Sequence, residues 1–277
     1  MPLSTVGKIG FIGGGNMAEA FIKGLLNGGF PAEDIHFFEP NEQRRQLMVD
    51  RYGISCAENN AALVEISNIV VLATKPQILD KVLKEVNGAF DDNKLLVSIL
   101  AGITTTTLEA GLGGQARVVR AMPNTPALAG RGAAALCPGM NINQEDRRVA
   151  QHLFETVGIA LWVEEGQMDA VTGLSGSGPA FVYTFIEALT AGGVQEGLRL
   201  DIAHALAVQT VVGAAHLVQA TGEHPALLRE KVCSPAGTTI SAIRVLEERG
   251  LRATMMEAVG AATKRSRQLG EENKYSF

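Results

Sequence analysis

The sequence predicts an α/β fold in which a doubly wound parallel sheet is followed by an all-α region. Short apolar runs alternate with helical patterns over residues 1–164, which is typical of parallel strands joined by crossover helices. From Gly178 onward only helical patterns follow one another. The polar stretch Glu164-Glu165-Gly166 marks the change, so we predict one domain at 1–164 and a second at 165–277.

Composition limits the classes of function that need to be considered. With 277 residues, of which 46% are hydrophobic, the chain can build two moderate domains with cores of their own. The formal net charge is −5, and no cluster of Lys or Arg precedes the KRSR run near the C-terminus. This charge pattern does not indicate a nucleic-acid partner.

The cysteines and the N-terminal stretch bear on the cellular compartment. Cys56, Cys137 and Cys233 are widely spaced and form no C-x-x-C pattern, so we expect a reducing compartment, no disulfide framework and no metal. The start MPLSTVGKIG lacks the regions of a signal peptide, and no uninterrupted apolar run approaches the roughly 20 residues of a membrane helix. We therefore expect a cytoplasmic protein without a membrane partner.

The strongest local signal is the stretch KIGFIGGGNMAEA at residues 8–20. A short apolar run stops in three glycines, and helix formers follow at once, which spells G-x-G-x-x-A with Gly13, Gly15 and Ala18. Such a turn lets a pyrophosphate approach the backbone at a helix N-terminus, where free N–H groups and the helix dipole favour an anion. We interpret residues 1–164 as a Rossmann-like dinucleotide-binding domain, although an ordinary glycine turn would give the same pattern.

The end of the second predicted strand carries two conflicting signals for the cofactor. Glu39 follows the strand Ile35–Phe38, where an acidic side chain usually accepts the ribose 2′-hydroxyl of NAD. Arg44 and Arg45 lie just beyond, and guanidinium groups suit a 2′-phosphate. The residues alone leave the choice between NADH and NADPH open.

The remaining strands complete the predicted sheet. We place strands at Ile54–Cys56, Ile69–Leu72, Leu95–Leu100, Val118–Val119, Ala133–Leu136 and Ala160–Val163. Ligands of such sheets bind beyond the carboxyl ends of the strands, so the loops at Gly13, Glu39, Ala73, Ala101 and Asn124 should share one edge.

The second domain is predicted to dimerise. Helical patterns cover 179–187, 200–220, 225–231, 239–249 and 252–269. The segment 203–218 is apolar nearly all round, and a domain of this size has little material of its own to cover it. A second copy of the chain would cover it, so we predict a homodimer through this domain.

Two stretches rich in small and hydroxyl residues could bind a carboxylate. Residues 174–180 read LSGSGPA and residues 232–239 read VCSPAGTT, and each precedes or opens a predicted helix. Hydroxyls and free N–H groups at a helix start suit an anion, whereas simple capping needs one Ser or Thr.

Several familiar catalytic patterns are missing. The sequence has no Ser-His-Asp signature and no H-E-x-x-H motif, and it has no carboxylate pair at a recognisable spacing. His204 and His216 lie on the apolar helix, His224 is placed to cap the helix that starts at Pro225, and Cys233 reads as a small buried apolar residue. Few acid–base groups beside a nicotinamide cofactor suit hydride transfer to an activated acceptor.

Taken together, these stretches resemble the pyrroline-5-carboxylate reductase family over nearly the whole chain. The matching pieces are GFIGGGNMAEA, LATKPQ, SILAGIT, RAMPNTPALAGRG, LSGSGPAFVYTFIEAL and HPALLREKVCSPAGTTISAIRVLE. The resemblance implies reduction of (S)-1-pyrroline-5-carboxylate to L-proline by NADPH or NADH, with members often assembled into rings of dimers. It also implies that the second domain binds the substrate.

The resemblance also implies site residues by position. The cofactor would be held by Ile12, Gly13, Gly14, Gly15, Asn16, Met17, Glu39, Asn60, Ala73, Thr74, Lys75, Pro76, Ile99, Leu100 and Ala101. The substrate would be held by Ser234, Gly237, Thr238 and Thr239, and Thr239 would be the catalytic residue by hydrogen-bonding the imine nitrogen.

Two residues depart from the family pattern. Ala236 stands where the family usually has glycine, so we expect either that this position needs no positive φ or that the loop differs. Glu39 stands where a small hydroxyl residue is common, and its carboxylate should repel a 2′-phosphate. We therefore hypothesise that both cofactors are used.

Two other functions remain to be weighed. A β-hydroxyacid dehydrogenase of similar architecture should carry a catalytic Lys on the helix after the nucleotide domain, and the stretch GPAFVYTFIEAL has none. A catalytically silent nucleotide sensor would not need Ser234 and Thr239, which are both present.

Overall fold

The computed structural model describes residues 7–272, and an eight-stranded sheet is the centre of the first part of the chain. The strands are β1 Ile9–Ile12, β2 Ile35–Phe38, β3 Ser55–Cys56, β4 Ile69–Leu72, β5 Leu95–Ser98, β6 Arg117–Met122, β7 Gly132–Pro138 and β8 Gly158–Trp162. Their order in the sheet is β3-β2-β1-β4-β5-β6-β7-β8. The chain thus runs outward from β1 in both directions, which confirms the doubly wound topology.

One pair of strands departs from the predicted all-parallel arrangement. β6 and β7 pair antiparallel, with Arg120 opposite Cys137, while every other pair in the described sheet is parallel. A parallel crossover needs about a dozen residues or more. The connection at 123–131 is shorter than that and contains only the 3₁₀ turn Thr125–Ala129, so the chain reverses instead of crossing over.

Helices cover both faces of this sheet. They are α1 Asn16–Asn27, α2 Glu42–Tyr52, α3 Asn60–Ile66, α4 Leu79–Val86, α5 Thr105–Gly111, α6 Gln144–Glu155 and the short α7 Met168–Val171. One core joins the sheet to α1 and α6, where the rings of Phe21 and Phe154 meet edge to face at 4.8 Å. A second core joins the other face to α3, α4 and α5.

The free edge of the sheet at β8 is partly closed by a side chain. The N–H of Val163 donates to the carbonyl of Leu136 on β7, so along the alternating backbone the carbonyl of Ala160 points away from β7. Gln151 of α6 donates its side-chain N–H to that carbonyl at 2.9 Å. Ile159 and Leu161 of the same strand are exposed.

The chain forms two compact units, 1–177 together with 261–277, and 178–260. Residues 163–177 belong with the sheet because Met168 and Val163 pack on Cys137 of β7. The predicted boundary between residues 164 and 165 separates a cofactor-binding domain from a substrate-binding domain, and it stays a prediction. The two compact units describe packing alone.

The second unit is built from helices, as predicted. They are α8 Gly178–Gln195, α9 Leu200–Thr221, α10 Pro225–Val232, α11 Thr238–Glu248 and α12 Leu251–Glu272, of which α12 continues into the first unit. His224 caps α10 through Nδ1, which accepts from the N–H of Ala226 at 3.2 Å. Only Ala203 and Ala207 of α9 are buried within the described chain. This helix is long and apolar enough to cross a membrane by length and composition alone, with a mean hydropathy of 1.3.

Candidate active site

The turn after β1 requires glycine at its first position. Gly13 has φ +100°, and a Cβ added there would lie 2.8 Å from the carbonyl oxygen of Ala73 after β4. The N–H of Gly13 donates to the carbonyl of Phe38 at 2.9 Å, so the turn is held against β2 as well. Both the conformation and the space exclude a side chain at this position.

The next glycine of the fingerprint opens a space above the helix. Gly15 precedes α1, no side chain caps this helix, and a Cβ added at Gly15 would meet nothing within 4 Å. The N–H groups of the first helical turn have no partners within the helix. This arrangement is a cradle for a phosphate, which confirms that the glycine stretch forms a strand–turn–helix unit.

Gly14 is held from both sides by residues that follow β2. Its N–H donates to Glu39 Oε2 at 2.9 Å, and its carbonyl accepts from Arg44 Nε at 2.6 Å. The other oxygen of Glu39 accepts from the N–H of Asn41 at 3.0 Å. Glu39 and Arg44, which the sequence suggests as opposing determinants of the choice between NADH and NADPH, therefore also fix the central peptide of the glycine turn.

Arg44 is further engaged by an acidic residue of α1. Its Nη2 lies 2.6 Å from Glu19 Oε2, and Arg51 and Tyr52 both reach the other oxygen of Glu19. Burial opposes ionisation of Glu19, but the hydrogen bonds from Tyr52 and Arg44 and the charge of Arg44 hold its pKa below the ordinary value. Arg44 and Arg45 are the two residues predicted to bind a 2′-phosphate. Unlike Arg44, Arg45 has a guanidinium group without a hydrogen bond or ion pair within residues 7–272.

A cleft of about 560 Å³ brings most of the predicted cofactor residues together. It is lined by Ile12, Gly13, Gly15, Asn16, Met17, Glu39, Asn60, Ala73, Thr74 and Lys75. Of the remaining predicted residues, Gly14, Pro76, Ile99, Leu100 and Ala101 do not line it. Leu100 is 2% exposed, whereas Ala101 is open to solvent at the carboxyl edge after β5.

Sequence reasoning missed one wall of this cleft. The additional lining residues are Phe38, Pro40, Asn59, Ile78, Lys81, Val82 and Glu85. Four of them recur at helical spacing from Ile78 to Glu85, on and just before α4. That periodicity, read from Pro76 onward, is the signal that could have found them.

The cleft fits a dinucleotide by its unpaired polar atoms as well as by its shape. Asn60 and Thr74 both line it, and their side-chain oxygens Oδ1 and Oγ1 are buried without a hydrogen-bond partner among the described residues. Buried polar atoms without partners are uncommon in folded proteins, and a bound polar group would complete them. The apolar side chains Ile78 and Val82 offer a surface for a flat base.

The second glycine–hydroxyl stretch forms the start of α11. The N–H of Gly237 donates to the carbonyl of Ser234 at 3.0 Å, and no side chain caps the helix that begins at Thr238. The hydroxyls of Ser234, Thr238 and Thr239 make no hydrogen bond within the described part of the chain. Three hydroxyls and the N–H groups of a first helical turn thus lie together here, and that they bind an anion stays a prediction.

Ala236 adopts the conformation that the sequence argument considered too costly for it. Its φ is +57°, and it is the one non-glycine residue with positive φ among those described. The expectation that this position needs no positive φ is therefore wrong, whereas a difference of the loop from that of the family stays a prediction. The loop therefore carries backbone strain of about 1–2 kcal/mol, because the Cβ of an L-residue crowds the backbone in this region.

Replacing Ala236 by glycine should relieve this strain. We expect Ala236→Gly to raise the free energy of unfolding by about 0.5–1 kcal/mol, since part of the gain is offset by the greater freedom of glycine in the unfolded chain. Urea denaturation measures the change. Ala261→Gly, at an exposed position inside α12, is the control and should destabilise by about 1 kcal/mol. Equal losses in both variants would contradict strain at Ala236.

The first small-residue stretch leads into a helix, as predicted, since α8 begins at Gly178, but a π-helical turn precedes that start. Residues Thr172–Gly176 form a π-helical turn that directly follows α7, and the N–H of Ser177 donates to the carbonyl of Thr172 at 2.8 Å. Asn124 fixes this turn, because its Nδ2 donates to the carbonyl of Ser175 at 3.0 Å and its Oδ1 accepts from the N–H of Ala133. The stretch is therefore a braced turn, with Asn124 of the RAMPNTP motif as its support.

The remaining reactive side chains have structural surroundings. Burial, and then the neighbouring Glu165 carboxylate, raise the pKa of the Cys137 thiol to about 12, so it is no nucleophile. Arg120 and Thr105 bind the same Glu165 carboxylate. Within residues 7–272, no group of three or more His, Cys, Asp or Glu side chains could hold a metal ion.

Comparison with known proteins identifies the family. A family model described as pyrroline-5-carboxylate reductase dimerisation matches residues 165–269, and one described as NADP oxidoreductase coenzyme F420-dependent matches residues 8–102. The pyrroline-5-carboxylate reductase of Methanosarcina acetivorans is 44% identical over 266 residues, covering 96% of this chain and 98% of the relative. The chain belongs to the pyrroline-5-carboxylate reductase family.

Other members of the pyrroline-5-carboxylate reductase family agree with this over the same length. The Escherichia coli enzyme is 40% identical, covering 95% of this chain and 98% of its own. A solved reductase from Coxiella burnetii has a TM-score of 0.91 at 33% identity, covering 98% of this chain and all of the other. The Plasmodium falciparum reductase, solved with NADP bound, has a TM-score of 0.86 at 32% identity and covers 95% of this chain and 98% of its own.

Proposed function

We propose that the chain reduces (S)-1-pyrroline-5-carboxylate to L-proline, the final step of proline biosynthesis, with NADPH or NADH as the reductant. The proposal rests above all on one observation. An uncapped helix start with unpartnered hydroxyls at Ser234, Thr238 and Thr239 occurs in the same chain as a dinucleotide cleft built on Gly13 and Gly15. Family membership says which reaction such a pair of sites performs.

The first unit holds the cofactor, which supplies the hydride when bound. The first turn of α1 and the open space at Gly15 receive the pyrophosphate. Thr74 Oγ1 and Asn60 Oδ1, which lack hydrogen-bond partners within the described chain, form hydrogen bonds with the cofactor. The other members of the cofactor set are Ile12, Gly13, Gly14, Asn16, Met17, Glu39, Ala73, Lys75, Pro76, Ile99, Leu100 and Ala101.

The start of α11 holds the substrate. The substrate carboxylate accepts hydrogen bonds from the first-turn N–H groups and from the hydroxyls of Ser234 and Thr238, while Gly237 leaves room at the helix start. The hydroxyl of Thr239 hydrogen-bonds the imine nitrogen and favours the iminium, which accepts a hydride more readily. Since the iminium can take its proton from solution, these residues need no general acid.

One assay tests the function. Oxidation of NADPH or NADH should begin when pyrroline-5-carboxylate is added, and the loss of the cofactor's own absorbance measures it. Proline should form at the same time. A β-hydroxyacid dehydrogenase would oxidise a hydroxy acid and ignore the imine. A silent sensor would bind the nucleotide without turnover.

Glu39 should set the balance between the two cofactors. We expect Glu39→Ser to raise the ratio of kcat/KM for NADPH over NADH by roughly 10-fold, because the like charge next to a 2′-phosphate is removed. Both values should also fall in absolute terms, since the N–H of Gly14 loses its acceptor. Glu42→Ser is the matched control, because it removes the same charge from an exposed position at the start of α2. An unchanged ratio would remove Glu39 from the selection of the cofactor.

The second unit forms the homodimer. Of the residues of α9, Leu206 is 56% exposed and Val212 is 54% exposed, although the helix is apolar nearly all round. A second copy of the chain covers this surface, and several such dimers assemble into a ring. Sedimentation at micromolar concentration should give a dimer or a multiple of it, and a predominant monomer would contradict this assembly. We place the enzyme in the cytoplasm, where its free cysteines stay reduced.

A further inference from the structure

Asn60 lies in the wall of the nucleotide cleft, and its side-chain amide is held in one orientation. The residue begins α3 and is 5% exposed, and its Nδ2 lies 2.7 Å from Glu85 Oε2 of α4. A carboxylate can only accept hydrogen bonds, so the amide nitrogen must face Glu85 and the oxygen must face away from it. The assignment of the two amide ends therefore follows from the chemistry of the partner.

Glu85 also has a cation nearby. Its second oxygen, Oε1, lies 3.8 Å from Lys81 Nζ, one helical turn earlier on α4. Glu85 and Lys81 line the cleft, as do the apolar Ile78 and Val82 of the same wall. Asn60 therefore lines the same cleft as an apolar surface that suits a flat base.

The oxygen of Asn60 needs a donor. Oδ1 is buried and has no hydrogen-bond partner among the described residues, and such an atom is normally satisfied by a bound group. Within the adenosine half of a nicotinamide dinucleotide, the donors are the ribose hydroxyls and the adenine 6-amino group. A 2′-phosphate presents acceptors at this end instead.

The structure assigns Glu85 as a positioning residue for specificity. It locks the Asn60 amide so that Oδ1 accepts a hydrogen bond from a donor of the adenosine half, either the ribose 2′-hydroxyl or the adenine 6-amino group. The inference rests on the proposed function, because it concerns the same cofactor. It goes further by assigning the selection of the nucleotide to a residue that has no part in hydride transfer.

Three dinucleotides separate the possible donors. NADH carries both donors, NADPH lacks the 2′-hydroxyl, and reduced nicotinamide hypoxanthine dinucleotide lacks the 6-amino group. Calorimetric titration of the full chain without imine gives their dissociation constants. We expect NADH to bind at least about 5-fold more tightly than one of the two analogues, which corresponds to one aligned hydrogen bond. In Glu85→Gln that ratio should fall toward one, because glutamine donates as well as accepts and the Asn60 amide can then turn.

One control makes the test specific to the amide lock. Glu65→Gln removes the same charge from an exposed position on α3, outside the lining of the cleft, and should keep the wild-type ratios. The analogue whose ratio collapses in Glu85→Gln identifies the donor.

The outcomes distinguish this inference from the proposed function. Equal binding of all three dinucleotides by the wild type, or ratios that Glu85→Gln leaves unchanged, would overturn the role of Glu85 while leaving the reductase proposal intact. A similar change in Glu65→Gln would also overturn it, because charge alone would then explain the effect. Failure of the folded wild type to bind any of the three would contradict the proposed function instead.

Discussion

Thr239→Ala should lower kcat/KM for pyrroline-5-carboxylate by about 10-fold or more, as expected when one aligned hydrogen bond to the reacting group is lost. Thr239 is the second residue of α11, is half-buried, and makes no side-chain hydrogen bond within the described chain. Its hydroxyl therefore has no structural partner to lose, and the melting temperature should stay close to that of the wild type.

Two further variants at this position define the role of the hydroxyl. Thr239→Ser keeps the oxygen and should retain most of the activity, whereas Thr239→Val keeps the shape and should behave like Thr239→Ala. Steady-state kinetics with saturating NADPH gives all three values. Near-normal kinetics in Thr239→Val would show that the imine nitrogen is held by another group.

Gly15→Val should greatly lower the affinity for the cofactor without unfolding the protein. A Cβ at this position meets nothing within 4 Å, and the backbone there is extended, with φ −69°. The new side chain would fill the space above the first turn of α1 that we assign to the pyrophosphate. We expect the dissociation constants of NADPH and NADH to rise about 100-fold or more, which is roughly 2.7 kcal/mol.

Two other glycines act as comparisons for Gly15. Gly88→Val changes an exposed position that also has open space around it, and cofactor affinity should be unaffected. Gly13→Ala should instead destabilise the fold, because the residue has φ +100° and no room for a Cβ. Calorimetric titration and circular dichroism together measure both effects. Tight binding by Gly15→Val would place the pyrophosphate elsewhere.

The regular part of the fold could be predicted closely from local patterns. The predicted bounds of β2 and β4 agree with the observed ones, because each is a short, largely apolar run. The carboxyl-edge loops also fall together as expected, since β1, β2, β4, β5 and β6 run in the same direction. Topology follows from such patterns when the strands are short, apolar and separated by helices.

What the sequence could not predict are contacts between residues far apart in the chain. The hold of Glu39 and Arg44 on Gly14 depends on how two loops meet across β1 and β2. The π-helical turn at 172–176 likewise depends on Asn124, which lies well before it in the chain. The positive φ of Ala236 likewise could not be predicted from its residue type, which disfavours that backbone angle. Local preference is overruled where the surrounding structure fixes the conformation.

The contact of Gln151 of α6 with β8 has a consequence for how these molecules can associate. An open strand edge offers a row of backbone groups onto which another chain can add a strand, and such growth has no natural end. Because Gln151 occupies the outward carbonyl of Ala160, a further strand would lose that hydrogen bond and would meet a helix side chain. Addition of a strand at β8 would therefore cost the hydrogen bond between Gln151 and Ala160, which disfavours growth of the sheet from one molecule to the next at this edge.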